Sequence, residues 1–333
     1  MVFTKHSRFS AGTSSISVMG DVQNVGDSVF VASGGAREAT VKALERLGPR
    51  IVGNRILIKP NLASRVRDMG KNTSVDVVEG VVDYFHGKGD LIVAEGCCGS
   101  TNLKPDSTYE LFEYAFYTKL EDEYGVRLLD LNADRFERVK LHDKVLGVAR
   151  TVLEADYVVT VPVLETHVYT TVSACVKNLM GCLEPVPAEG CETATKWGIH
   201  SELYDCDPSS LTDYLVALGK FEWRLIELYR VVSPKLGVID AVVASEGDAP
   251  VHGTPVHMGM VIASENPVSC DAVAAYLMGV DLADVGFLRI ANEQGLGEID
   301  VGKIRTNVDL EPLVRRFQLP ATIEHLRRSR VDC

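Results

Sequence analysis

A chain of 333 residues, 46 % apolar and 24 % charged, carries enough material for a large hydrophobic core and reads as one or two globular domains. With 34 basic against 46 acidic side chains the net charge is −12, which argues against nonspecific binding to nucleic acid or an anionic membrane but leaves room for a few lysines to hold a small anion. No apolar run approaches the length of a membrane span and the Ser-rich start lacks a signal core, so a cytoplasmic location is expected, with free thiols as the default for the eight cysteines.

Strand and helix patterns alternate along the chain. Residues 1–22 are polar and aperiodic and read as a flexible arm. A strand is expected over 28–32, and a helix over 36–47 with Val41, Leu44 and Leu47 on one face. The run 55–58 is a strand that ends in Lys59-Pro60-Asn61. Residues 75–85 read as a helix capped by Ser74, whose hydroxyl can accept from the free N–H groups of the first turn. The strand 91–94 ends in Glu95-Gly96. A helix over 107–124, a strand over 126–131 and a hairpin over 138–148, turning at His142-Asp143, come next.

The β-branched run 157–164 reads as the central buried strand and opens into Glu165-Thr166-His167. A short helix over 171–180 follows, closed by Gly181 as a residue suited to the left-handed conformation. Residues 184–207 have no period and are too long for an ordinary connector, which reads as a lid-like insertion. A long helix over 209–231, a strand over 235–239 running into Asp240-Ala241, and a turn-rich segment from Glu246 to Pro250 come next. The strand 256–263, helices over 268–278 and 283–293, and a basic helical tail over 313–333 complete the chain. The pattern predicts an α/β fold: a mainly parallel, doubly wound sheet with helices on both faces, contained in residues 23–312.

Five expected strands end in polar or charged residues, and in an open α/β sheet the carboxyl ends of the strands line the ligand crevice. Lys59, Glu95, His167, Lys177 and Asp240 are therefore expected to converge. Lys177 lies on an otherwise apolar helix, and a buried ammonium needs an anionic partner, with Glu165, Asp240 and a ligand as the candidates. His167 and His200 bracket the insertion and suit proton transfer or a shared divalent metal. His167, Lys177, Lys59, Asp240 and Glu246 are the catalytic candidates; Asn61, Glu95, Asn178 and His200 are the binding candidates. Asp271 opens a helix and is expected to stabilise that helix's N-terminus.

Phosphate-loop, dinucleotide-binding, nucleophile-elbow and H-E-x-x-H signatures are all absent. Cys175, Cys182, Cys191 and Cys206 fall in one stretch, but no C-x-x-C pair occurs and the spacing matches no compact ligand motif, so an iron–sulfur cluster is not expected.

Lys59-x-Asn61, the strand ending at His167, Lys177-Asn178-Leu179-x-Gly181, Asp240-Ala241 and Glu246-Gly247 with Pro250 occur in that order. Ser264-x-Asn266-Pro267-Val268-x-x-Asp271-Ala272-Val273-Ala274 and Leu277-Met278-Gly279 follow. This ordered set, spanning roughly residues 28–300, resembles the domain of unknown function numbered 362. Some proteins of that family carry a ferredoxin-like module and are labelled iron–sulfur centre proteins. This chain lacks the C-x-x-C-x-x-C-x-x-x-C run, so that implication does not transfer. Where the family often shows Lys-Thr-His, this chain has Glu165-Thr166-His167, which inverts a charge beside the site. Ala249 stands where a glycine is frequent.

The leading expectation is an enzyme acting on a small anionic or carbonyl-bearing metabolite by acid/base or metal-assisted chemistry, of isomerisation, cyclisation or elimination type. A redox protein using dispersed cysteines and a noncatalytic ligand-binding domain are the alternatives. The expected partner is a small molecule, with self-association left open.

Overall fold

The computed structural model describes residues 27–63, 70–97, 107–187, 194–207 and 210–331. The expected arm over 1–22, Cys98, Cys191 and Cys333 lie outside the described residues. The chain runs β1 (Ser28–Ser33), α1 (Ala36–Leu47), β2 (Arg55–Pro60), α2 (Val75–Phe85), β3 (Asp90–Glu95), α3 (Ser107–Tyr114), α4 (Thr118–Tyr124) and β4 (Arg127–Asp130). It continues with β5 (Phe136–Leu141), β6 (Lys144–Ala149), α5 (Arg150–Leu153), β7 (Tyr157–Val161), β8 (Val163–His167), β9 (Thr171–Ser173) and α6 (Cys175–Asn178). Then come β10 (Val186–Pro187), β11 (Ala194–Thr195), α7 (Glu202–Asp205), α8 (Leu211–Val232), β12 (Leu236–Asp248), β13 (His252–Ser264), α9 (Pro267–Leu277), α10 (Gly286–Glu293), β14 (Arg305–Thr306) and α11 (Ala321–Val331).

The main sheet has the order β14-β1-β13-β12-β7-β2-β3-β4, with β8 beside β12 and β9 beside β8. From β12 through β7, β2, β3 and β4 every pairing is parallel. At the other edge β12, β13 and β1 pair antiparallel, so the sheet is mixed but mostly parallel, with helices around it. The period-2 alternation of the strands decides which helices cover which face. Ile56, Ile58, Tyr157, Val159 and Val238 face the layer of α1, α2 and α3, where they meet Leu44, Val78, Val82 and Phe112. Leu57, Val158, Ile239 and Ile262 face the other way, onto Phe221 and Leu225 of α8 and Val273 of α9. Strands buried on both faces read as continuous apolar runs, which is why 157–164 stood out in the sequence. Gly80 lets α2 lie against α1, because a Cβ there would meet the Arg37 carbonyl oxygen at 2.6 Å.

Ser74 caps α2 as expected, accepting from Asp76 N–H. The hairpin turning at His142-Asp143 is β5 and β6. Five expectations need correction. The short helix expected over 171–180 is instead β9, then α6, then a 3-10 turn over Leu179–Cys182. The run 157–164 breaks at Pro162 into β7 and β8, because proline has no N–H to give the ladder. The helix expected over 107–124 splits into α3 and α4 at Phe116, which takes a positive φ of 63°. The turn-rich segment 246–250 is instead the tip of a long antiparallel hairpin, since β12 and β13 run on to Asp248 and His252. The tail is helical only from Ala321; before it, Arg315 and Phe317 donate backbone N–H groups to the carbonyls of Leu277 and Met278. No helix among the described residues is long and apolar enough to cross a membrane.

Candidate functional site

A cleft of about 260 Å³ opens where β2, β3 and β8 end and α6 begins. It is lined by Lys59, Asn61, Glu95, His167, Lys177, Asn178 and His200 among the expected residues. At its floor Lys59 is 1 % exposed and Glu95 3 %. The Lys59 ammonium donates to both oxygens of Glu95, at 2.9 and 2.8 Å, and to Asn178 Oδ1 at 3.0 Å. Asn178 in turn donates from Nδ2 to the Lys59 carbonyl oxygen and to Thr160 Oγ1, both at 3.0 Å. This buried pair meets the demand for mutual neutralisation in a low-dielectric setting. Gly181 is needed there for space: a Cβ at this position would overlap Glu95 Oε1 and approach Lys59 Nζ to 2.6 Å. Its expected role as a left-handed helix stop is corrected, since the positive-φ glycines do not include it.

The start of α6 is held by Asp271, whose two carboxylate oxygens accept from Cys175 N–H at 2.7 Å and Val176 N–H at 2.9 Å. Asp271 therefore steadies a neighbouring helix rather than its own; α9 is capped by Asn266, which accepts from Val268 and Ser269. Burial raises the Asp271 carboxyl to about 7, partly offset by those two N–H donors. Through α6, Asp271 sets the place of Lys177 and Asn178.

Along the upper part of the cleft lie Glu165, His167, Lys177 and His200. Glu165 is 4 % exposed and its Oε2 is buried with no hydrogen-bond partner among the described residues. Burial pushes its carboxyl up to about 7, while Lys177, a hydrogen bond to Ser173 and Lys71 pull it back. His167 is held neutral: burial, then the charge of Lys177, then His200 drive it well below its usual range. Its Nδ1 accepts from the N–H groups of Tyr169 at 3.2 Å and Thr170 at 3.4 Å, so the ring proton sits on Nε2. Burial and Lys177 lower His200 to about 4. The half-buried Lys177 is thus the cation felt by all three neighbouring groups.

Two expected site residues stand elsewhere. Asp240 is buried outside the cleft lining, where it accepts from Ser74 N–H at 2.8 Å and Val242 N–H at 3.0 Å and so steadies the start of α2. Burial raises its carboxyl to about 6. Glu246 accepts from Gln318 N–H at 2.8 Å and ties the C-terminal segment to β12. A strand-end carboxylate can point to either face or bind backbone, and sequence position does not say which. Of the segment from Glu246 to Pro250, Pro250 reaches the cleft, followed by Val251.

Sequence reasoning missed Lys196, Tyr169 and Tyr204, which also line the cleft. Lys196 is 1 % exposed and donates to Asn132 Oδ1 and the Leu183 carbonyl oxygen. It also missed Arg224, which is fully buried on α8. The guanidinium donates to Asp143 at 2.6 and 2.8 Å, to Glu202 at 2.6 and 2.7 Å, and to the Ile199 carbonyl oxygen at 3.0 Å. The insertion therefore has structure of its own over 194–207, and that stretch is bound to α8 and to the β5–β6 hairpin; residues 188–193 lie outside the described residues.

Among the described residues no group of three His, Cys, Asp or Glu side chains is arranged to hold a metal ion. Cys175 and Cys270 pack together in the core, with burial raising both thiols, while burial pushes Cys182 up to about 12 against the pull of Lys59 and Lys196. The described cysteines are free thiols.

Two known proteins are similar to this chain, one in sequence and one in a partial superposition. A thylakoid-associated protein of Synechocystis sp. is 24 % identical over 246 residues, covering 73 % of this chain and 69 % of that protein. The lactate racemase apoprotein of Thermoanaerobacterium thermosaccharolyticum superposes with a TM-score of 0.44 at 12 % identity, over 76 % of this chain. This chain spans only 57 % of that structure's length. The model of a domain of unknown function, DUF362, matches residues 56–276. That match takes in the cleft lining from Lys59 to Val251 and well over half of the chain, which therefore belongs to the DUF362 family.

Proposed function

We propose that the cleft binds a small carboxylate-bearing metabolite and moves a proton on the carbon beside its carboxylate or carbonyl group, as an isomerase or lyase does. The observation that carries this reading is Glu165: a buried carboxyl brought to about 7, with an oxygen that has no hydrogen-bond partner among the described residues, on the wall of a cleft beside the Lys177 cation. A general base works best when its pKa lies near the working pH. The volume of about 260 Å³ lies just under the about 300–1,000 Å³ typical of drug-sized ligands, which suits a small metabolite.

In this reading Lys177, whose charge reaches Glu165, His167 and His200, attracts the anion. Ionised Glu165 takes the proton; the C–H electron pair moves onto the adjacent carbonyl or carboxylate oxygen, where Lys177 stabilises the developing charge. Neutral His167 donates a hydrogen bond from Nε2–H to the same oxygen without giving up its proton. Return of the proton from Glu165 to a neighbouring carbon on the same face gives isomerisation, and departure of a β-substituent with the electron pair, protonated by Glu165, gives elimination.

The test is deuterium exchange in D2O, followed by proton NMR, on a panel of 2-hydroxy and 2-oxo acids. Exchange at the carbon beside the carboxylate or carbonyl group is expected for at least one acid. Glu165→Gln should abolish exchange but keep binding, and Lys177→Met should weaken binding by about tenfold or more. An acid that binds in a Lys177-dependent way without exchange would favour the noncatalytic alternative.

A further inference from the structure

We infer that the acid taken by this cleft carries a flat aromatic or conjugated group, with its carboxylate at Lys177 and its plane against the rings of Tyr169 and Tyr204. This rests on the reading that Lys177 binds a carboxylate. The cleft runs from a buried to an exposed end. Its deep end holds Glu165, Lys177 and the Lys59–Glu95 pair. Toward its outer end Tyr204, 52 % exposed, stands with Pro250 and with Val251, 59 % exposed at the tip of the β12–β13 hairpin; the Val251 carbonyl oxygen accepts from Lys71 Nζ at 3.3 Å.

Between the two ends, one wall is a run of rings. His167 lies 5.7 Å from Tyr169, Tyr169 lies 6.1 Å from Tyr204 in an edge-on arrangement, and His200 lies 5.3 Å from Tyr204. All of these rings line the cleft. The two imidazoles are held neutral by burial and by Lys177, so this wall offers ring surface rather than charge. Aromatic rings prefer other rings at centroid distances of about 4.5–7 Å, in offset or edge-on geometry, and gain more from them than area alone provides. The wall is also firmly placed. Leu203 beside Tyr204 is buried, and Glu202 is held by Arg224 and by Lys144, so Tyr204 sits on a fixed α7. A short acid such as propanoate would fill the deep end and leave this ring surface in water.

Three acids with one head group decide the matter: 3-phenylpropanoate, 3-cyclohexylpropanoate and propanoate, titrated by calorimetry into the full chain. The cyclohexyl acid is the more apolar of the two ring acids, so burial alone would favour it. We expect the phenyl acid to bind about two- to tenfold more tightly than the cyclohexyl acid, the size of one aromatic pairing. Tyr204→Leu should erase that preference and Tyr204→Phe should keep it. Lys177→Met should weaken both acids. Equal or tighter binding of the cyclohexyl acid, or binding of propanoate alone, with Lys177 dependence intact, would overturn the aromatic inference and leave the carboxylate reading standing. Binding of no acid, or binding indifferent to Lys177→Met, would overturn both.

Discussion

Replacing Lys59 with methionine removes one partner of a pair whose side chains are only 1 % and 3 % exposed. The unbranched apolar chain preserves volume, so the change is chiefly electrostatic. Glu95 then keeps two backbone donors, Gly96 N–H at 2.8 Å and Leu62 N–H at 3.4 Å, but no countercharge from Lys59. Breaking a buried pair in this way costs about 3–5 kcal/mol. At about 2.1 cal/mol/K per residue, a 333-residue chain has an unfolding entropy of about 0.7 kcal/mol/K, so Tm should fall by about 4–7 °C. The double variant Lys59→Met/Glu95→Gln removes both charges while an amide oxygen can still accept from backbone N–H, and should recover most of that loss, leaving mainly the cost of Asn178 Oδ1 losing its donor. Thermal melts of the two variants and the wild type test this. A Lys59→Met protein melting within about 1 °C of the wild type, or a double variant melting no higher than the single one, would refute the view that the two charges hold each other.

Three further outcomes are expected. Burial raises Glu165 from 4.5 to about 7, so the folded protein holds this proton more tightly than the unfolded chain does. The stability this supplies is whole below about pH 4.5 and is lost as the pH climbs through about 7, so Glu165→Gln should gain on the wild type across that window, on the order of 3 kcal/mol, as denaturant melts at pH 4.5 and 8 would show. Gly181→Ala should destabilise by about 1–3 kcal/mol through collision with the Lys59–Glu95 pair, although its backbone conformation needs no glycine; urea unfolding measures it, and an unchanged midpoint would mean the floor yields easily. Arg224→Met should release residues 196–206 before the rest of the protein, seen as faster hydrogen exchange there. Its cost should fall below the about 3–5 kcal/mol of a fully buried pair, because Asp143 and Glu202 keep 35 % and 29 % exposure.

The chain's local signals determined most of the architecture. β-branched runs marked β2, β3 and β7, the alternation within them assigned side chains to the two faces, and Ser74 announced the start of α2. Because strands of an open parallel sheet end at one edge, the sequence alone brings Lys59, Glu95 and His167 together. Asp240 and Glu246 carried the same signal but bind Ser74 N–H and Gln318 N–H instead, since the position of a strand's end does not dictate where a carboxylate finds its donors. Gly181 and Asp271 were read from their own neighbourhoods, as a helix stop and a helix opener, while their roles lie in contacts with Glu95 and with α6. Lys196, Tyr204 and Arg224 gave no periodic signal at all. Helical and strand periods report the path of the backbone over a few residues. The cleft is made by pairs such as Lys59 with Glu95 and Lys59 with Asn178, 36 and 119 positions apart, whose meeting depends on packing that no local pattern records.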